Sequence, residues 1–199
     1  MYKRQCVDLI IDCKGTVVIS GIGKSGNIGR KITSTLASLG TPSIFLHTSD
    51  AFHGDLGILR KNDLLILISN SGETDELVRL LNYANKNGIK SIAITGKIDS
   101  TINKKATCTL NAVVENEACP LNLAPTCSTS VTMALGDALA SICAMERGFK
   151  ENDFARFHPS GNLHKLNFEI VDNIMNTQYL PICEKDKSIK EIVIEISKG

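Results

Sequence analysis

The sequence predicts an α/β fold: a mainly parallel sheet with helices on both faces. Two observations carry that prediction. Leu64, Leu65, Ile66, Leu67 and Ile68 form an unbroken apolar run, which suits a strand buried on both faces. Short runs of this kind alternate with longer stretches whose apolar residues recur at helical spacing, and such alternation implies parallel strands joined by right-handed crossovers.

Taken in order, residues 2–13 place Cys6, Leu9, Ile10 and Cys13 on one stripe and read as the end of a helix, stopped by Lys14-Gly15. Residues 16–20 read as a first strand, followed by the turn Gly21-Ile22-Gly23-Lys24-Ser25-Gly26. A helix is expected over 27–39, closed by Gly40, and a second strand over 43–47. Residues 50–59 read as irregular or as a short helix. The run 64–68 is the central strand, and a helix over 73–87 turns Leu77, Leu80, Leu81 and Ala84 inward before Gly88 caps it. Strands follow at 91–95 and near 108–110, with a further extended piece at 112–114. A polar loop over 115–125 leads to the N-cap cluster Thr126-Cys127-Ser128-Thr129. The long helix it opens carries a stripe of Val131, Ala134, Leu135, Ala138, Leu139 and Ile142. A short helical stretch over 153–157 ends at the turn His158-Pro159-Ser160-Gly161. Beyond residue 167, segments 171–175 and 188–197 keep helical spacing but are too few for a second core.

The chain has 199 residues and a net charge of +1, with both signs evenly mixed. Nothing in that balance points to nucleic acid or to an anionic membrane. No apolar run is expected to reach the roughly 20 residues of a membrane-spanning helix. The first residues lead into a short apolar patch without a small-residue cleavage site, so no signal peptide is expected and the cytoplasm is the default. Seven cysteines occur with no C-x-x-C pair and no zinc-finger histidine spacing, so reduced thiols without structural zinc are expected.

The hydroxyl-rich stretch Ser69-Asn70-Ser71-Gly72-Glu73-Thr74 falls between the central strand and the next helix. Backbone N–H groups and the positive end of the helix dipole favour an anion there, and three hydroxyls stand ready to join them. The alternative is an ordinary N-cap at Ser71 or Thr74 with nothing bound. The Gly21-x-Gly23-x-x-Gly26 turn looks like a dinucleotide fingerprint but lacks the acidic residue that should close the next strand. It also lacks the earlier glycine of a P-loop. What remains is a glycine-rich turn holding Lys24 and Ser25 beside a helix N-terminus, at the same strand ends where parallel sheets bind ligands. Together the two turns favour a phosphorylated small molecule. His53 and His158 lie in glycine- or proline-rich loops and can exchange a proton near neutral pH; bonding to backbone is the alternative. Among Glu73, Glu76, Glu115 and Glu117, spacing selects none.

Six separated segments, GIGKSGNIGRKI, LGTPSIFLH, FHGDLG, LISNSGETDEL, ENEACPLNLAPTCSTSVTMALGDALA and FARFHPSGNL, occur in order over roughly residues 15–166. In them the chain resembles the SIS (sugar isomerase) domain family, and more closely its D-arabinose 5-phosphate isomerase branch. The resemblance implies a three-layer αβα sandwich with a mainly parallel five-stranded, flavodoxin-like sheet over 1–168. The tail over 169–199 resembles a linker and the start of a CBS domain. The implied activity is interconversion of D-ribulose 5-phosphate and D-arabinose 5-phosphate, whose product enters synthesis of the eight-carbon acidic sugar (Kdo) of lipopolysaccharide. Residues reckoned catalytic in such enzymes correspond to Lys24, Glu76, Glu117 and His158. Ser69, Ser71 and Thr74 match the phosphate-binding turn, with Ser25 beside it, and His47, His53, Gly40 and Thr41 match positions near the substrate. Departures are Phe52, where relatives usually carry a small residue, and Ser160, where they usually carry glycine. The resemblance further implies a homo-oligomer, a tetramer, whose sites lie at subunit contacts. No cofactor is implied; His47 is a candidate site for an inhibitory divalent ion. Two readings stay open beside this one: an isomerase of another ketose phosphate, and a non-catalytic SIS module that senses a sugar phosphate.

Moving a carbonyl between C1 and C2 needs a base for the adjacent carbon, a cation for the enediolate oxygen and an acid/base to open the sugar ring. With the matched residues, the assignment is Glu117 as carbon base, His158 for ring opening, Lys24 at the oxyanion and Glu76 as an orienting group.

Overall fold

The structure is a computed structural model that describes residues 2–159 and 182–197. The chain divides into two compact units, Met1–Phe157 and His158–Gly199.

In the first unit five strands run β1 Val17–Gly21, β2 Ser43–Phe45, β3 Leu64–Ile68, β4 Lys90–Thr95 and β5 Cys108–Asn111. They form one sheet in the order β2-β1-β3-β4-β5, and every pairing is parallel. The expected parallel α/β sandwich is therefore present. Helices α1 Tyr2–Ile11, α2 Gly23–Ser38 and α6 Cys127–Glu146 belong to one core, with Val17, Ile19, Leu64, Ile66 and Ile68 of the sheet. Helices α3 Thr48–Ala51, α4 Asp75–Lys86 and α5 Thr101–Lys105 belong to the other, with Val18, Leu65 and Leu67. The apolar run of β3 is continuous because its alternate side chains serve two different cores. A four-residue 3-10 turn, Asp55–Ile58, and helix α7 Glu151–Phe157 complete the unit.

Several boundaries differ from the sequence reading, each for a packing reason. Helix α2 starts at Gly23 rather than at 27, so Lys24 and Ser25 lie in its first turn. Its glycines serve contact with the sheet: a Cβ on Gly26 would stand 2.7 Å from the Gly21 carbonyl, and one on Gly29 would stand 3.0 Å from the Phe45 ring. Helix α4 starts at Asp75, because Glu73 turns aside to accept the Thr101 N–H at 2.8 Å. That bond joins α4's entry to α5, a short helix the sequence reading lacked, whose Ser100 cap accepts the Asn103 N–H. Strand β2 is shorter than expected, and residues 112–114 leave the sheet after Asn111.

The buried side of α6 consists of Ser128, Thr132, Gly136, Leu139, Ala140, Cys143 and Ala144. Of the expected stripe only Leu139 is fully buried; Val131 and Leu135 pack at the margin, while Ala134, Ala138 and Ile142 are exposed. Small residues win the buried side because α2 comes close: a Cβ on Gly136 would run into the Ile32 side chain. Contrary to the composition argument, α6 is long and apolar enough to cross a membrane by length and composition. In this fold it packs on α2, and its Asp137 pairs with Lys31.

In the second unit the described part contains helix α8 Ile189–Ile196, with Ser188 donating its N–H to Glu191 at 2.8 Å. The helix expected there is present; the segment over 171–175 lies outside the described residues.

Candidate active site

The strand order turns back between β1 and β3, and helices leave those two strands toward opposite faces. Such a crevice at the carboxyl ends of parallel strands is where open α/β sheets take ligands. The register pairs Gly21 with Ile68, so the turn after each strand meets the other. Between them lies a hollow of about 300 Å³, lined by Ile22 and Ser25 from one turn and by Ser69, Asn70, Ser71 and Thr74 from the other. Leu77 and Ile68 form its floor.

Both helices that begin at this hollow lack a side-chain cap. The N-cap of α2 is Ile22, which has no acceptor to offer. The N-cap of α4 is Thr74, whose side chain makes no capping bond. Two helix N-termini, each with N–H groups in need of an acceptor and a partial positive charge, thus open on one small space. The arrangement suits an anion with several oxygens, such as a phosphoryl group.

Within the second turn the hydroxyls divide their work. Ser69, 3% exposed, accepts the Gly72 N–H at 3.0 Å and shares a hydrogen bond with the Thr74 hydroxyl at 2.9 Å. Its oxygen therefore shapes the turn. Ser71 accepts the Glu73 N–H at 3.2 Å and is exposed. Gly72 has φ 64°, and a Cβ there would run into Ser100. The Asn70 carbonyl accepts the Gly96 N–H and the Gly72 carbonyl accepts the Ile102 N–H, each at 3.1 Å, so the β4–α5 connection braces the turn.

The expected reactive residues are placed unequally. Lys24 is exposed on the first turn of α2, without an ion pair among the described residues, and does not line the hollow. Glu76 is exposed on the first turn of α4. Glu117 sits at the N-terminus of α6, where its carboxylate accepts from the Thr126 N–H at 2.7 Å, the Thr126 hydroxyl at 3.1 Å and the Ser128 N–H at 3.2 Å. The Ser128 hydroxyl donates to its other oxygen. These bonds, led by the Ser128 hydroxyl and the Thr126 N–H, hold the Glu117 carboxyl down at about 2. A small cleft lined by Ser25, Asn70, Pro125, Ser128 and Thr129 connects this helix end to the hollow through Ser25 and Asn70.

His47 occupies the N-cap of α3, half-buried, and His53 is exposed between α3 and the 3-10 turn; neither lines the hollow. Phe52 lies under the Arg79 guanidinium, 4.4 Å from its ring centre. Gly40 and Thr41 stand at the amino end of β2, away from the carboxyl ends that carry the hollow, and buried Thr41 accepts a hydrogen bond from Arg147. His158 opens the second unit. Among the described residues no three His, Cys, Asp or Glu side chains gather as a metal site.

The sequence reading missed Ile22 and Asn70 as lining residues, and Thr126 and Ser128 as partners of Glu117. The Thr126–Thr129 cluster was visible as a cap signal, but its acceptor comes from nine residues upstream of Thr126. No local pattern announces a cap of that kind.

Comparisons with known proteins bear on the same region. The SIS domain family matches residues 9–142. The chain is 49% identical over 198 residues to arabinose 5-phosphate isomerase KpsF of Escherichia coli O6:H1 strain CFT073, covering 100% of this chain and 60% of that protein. It is 48% identical over 175 residues to arabinose 5-phosphate isomerase KdsD of Pseudomonas aeruginosa PAO1, covering 88% of this chain and 53% of that one. The chain thus spans at most about 60% of the length of these two relatives. The solved structure of an Escherichia coli CFT073 protein in complex with arabinose 5-phosphate superposes with a TM-score of 0.76 at 41% identity, covering 78% of this chain and 83% of that one. With its five-stranded parallel sheet, its two-turn hollow and these matches, the chain belongs to the SIS domain family.

Proposed function

We propose that this chain is the sugar-phosphate domain of an aldose–ketose isomerase that interconverts D-ribulose 5-phosphate and D-arabinose 5-phosphate. The observation that carries the reading is the meeting of two uncapped helix N-termini at one hollow. A phosphoryl group seated there extends its sugar toward the cleft bordered by Ser128. Two relatives that bear the name arabinose 5-phosphate isomerase support the choice of sugar.

Glu117 then takes and returns the carbon proton, Lys24 balances the enediolate oxygen, His158 opens the ring and Glu76 orients one of these groups. Ser25, Ser71 and Thr74 hold the phosphoryl group, and Ser69 holds the turn. Supply of Kdo for lipopolysaccharide, a cytoplasmic setting, a tetrameric assembly and a CBS domain beginning within 169–199 belong to the same proposal.

The direct test is incubation of the purified protein with ribulose 5-phosphate and identification of the aldose formed. Appearance of arabinose 5-phosphate is expected; another aldose, or none, overturns the reading. For the roles, wild type should wash deuterium out of C2-labelled arabinose 5-phosphate. Glu117→Gln should retain the label, with a rate loss of about 10²–10⁴-fold as for loss of a general base. Exchange at the wild-type rate would remove Glu117 from the carbon chemistry.

A further inference from the structure

Glu117 lies on a segment without regular secondary structure, yet its position is fixed from several sides. Its own N–H donates to Asn122 Oδ1 at 2.6 Å, and the following Ala118 N–H donates to the Thr126 hydroxyl oxygen at 2.8 Å. Thr126 Oγ1 therefore accepts from the backbone on one side and donates to the Glu117 carboxylate on the other. Ser128 is 3% exposed, bonds the same carboxylate through N–H and hydroxyl, and also lines the cleft that leads to the hollow. An ordinary cap sets one acceptor against one or two N–H groups. Here two hydroxyls are added, and both oxygens of the carboxylate are engaged.

We propose that Ser128 and Thr126 are positioning residues for Glu117, which hold its carboxylate in one orientation behind Ser128, itself on the cleft that leads to the sugar-phosphate hollow. The proposal rests on the reading of Glu117 as the carbon base. An ionised base, already aimed, loses little entropy when the substrate arrives. The donors also favour the ionised carboxylate, because they must be overcome before it takes a proton from solvent. The ionisable groups on the loop and on α2, which packs against α6, include Glu115, Cys119, Cys127, Lys24, Arg30 and Lys31. Lys31 is paired with Asp137. The leading causes of the lowering at Glu117 are the bonds from Ser128 and Thr126 rather than these charges.

The test combines a titration with kinetics. Carbon-13 carboxyl resonances are followed against pH in the full chain, with the Glu117 signal identified by its absence from Glu117→Gln. In Ser128→Ala that signal should titrate at higher pH than in wild type, and Thr126→Val should move it less, since the Ser128 hydroxyl is the leading cause of the lowering and the Thr126 hydroxyl a smaller one. In Ser128→Ala the rate should change together with the signal. Its kcat should fall by about tenfold or more through lost orientation, with KM nearly unchanged. Ser128→Thr, which keeps a hydroxyl, should restore both the signal and the rate. An unmoved Glu117 signal in both Ser128→Ala and Thr126→Val overturns the positioning role. A signal that moves while kcat keeps its wild-type value instead overturns Glu117 as the base and leaves the clamp standing. If Ser128→Ala does not fold, Thr126→Val and Ser128→Thr carry the same comparison.

Discussion

Gly72 and Gly88 both take left-handed backbone, at φ 64° and 70°, yet their neighbourhoods differ. Nothing stands within 4 Å of a Cβ added at Gly88, whereas one at Gly72 runs into Ser100. Gly88→Ala should cost about 1–2 kcal/mol, the usual penalty of that conformation for an L-residue. Gly72→Ala should cost more and also weaken inorganic phosphate binding, because the turn must shift to clear Ser100. Urea denaturation and phosphate titration separate the two; equal losses at both positions would deny that the turn is braced. Acid titration gives a second residue-scale expectation. The Glu117 carboxyl is depressed in the folded chain from 4.5 to about 2. Its stabilisation is therefore full above the ordinary carboxylate range and lost as pH falls from about 4.5 through about 2. Glu117→Gln should flatten that part of the stability-against-pH curve, read as urea midpoints. At this scale the hydroxyl-rich turn was legible as a turn, since its signal is contiguous. That Ser69 faces inward and that Glu117 is clamped were not legible, because both facts depend on where the chain folds back.

Helices were legible to the degree that one face differed from the other. On α4 the polar residues leave a single apolar stripe, and Leu77, Leu80, Leu81 and Ala84 are buried as their spacing predicts. On α6 apolar residues surround the axis, so periodicity does not choose a face; steric fit with α2 chooses it instead. Three Ile32 atoms are the nearest neighbours of a Cβ on Gly136, and Ile is stiff at χ1 in a helix. Gly136→Ala gains about 1 kcal/mol of helix propensity but overpacks a site where insertions typically cost about 1–3 kcal/mol. The expected net effect is destabilisation. Ile32→Val removes a methyl from the crowded spot, so the double variant should be more stable than the sum of the two single changes predicts. A urea-denaturation cycle measures this coupling; strict additivity would mean that α2 and α6 do not meet through these residues.

For the whole molecule, the alternation of strands and helices sufficed to predict a parallel sheet, and strand ends sufficed to point to a ligand edge. The two matching turns already made their strands look adjacent, and the β1–β3 contact is what turns two loops into one hollow. That hollow takes its lining from two turns and leaves several residues of the family pattern elsewhere: Gly40 and Thr41 precede β2, at the amino ends of the strands, and neither His47 nor His53 lines it. In the proposed tetramer, with its sites at subunit contacts, a second copy would supply what one sheet does not bring to the hollow. An isologous contact would do this twice per pair. The expectation is sharp for a mixture of Glu117→Gln and His158→Asn chains, each inactive alone. If a site takes Glu117 from one chain and His158 from its neighbour, random assembly leaves about a quarter of sites with both groups intact. If a site draws both from one chain, every site carries a lesion and no mixture recovers activity. Co-refolding the two variants in equal amounts and assaying ribulose 5-phosphate turnover decides between them, provided mass measurement of the assembly confirms that chains have exchanged.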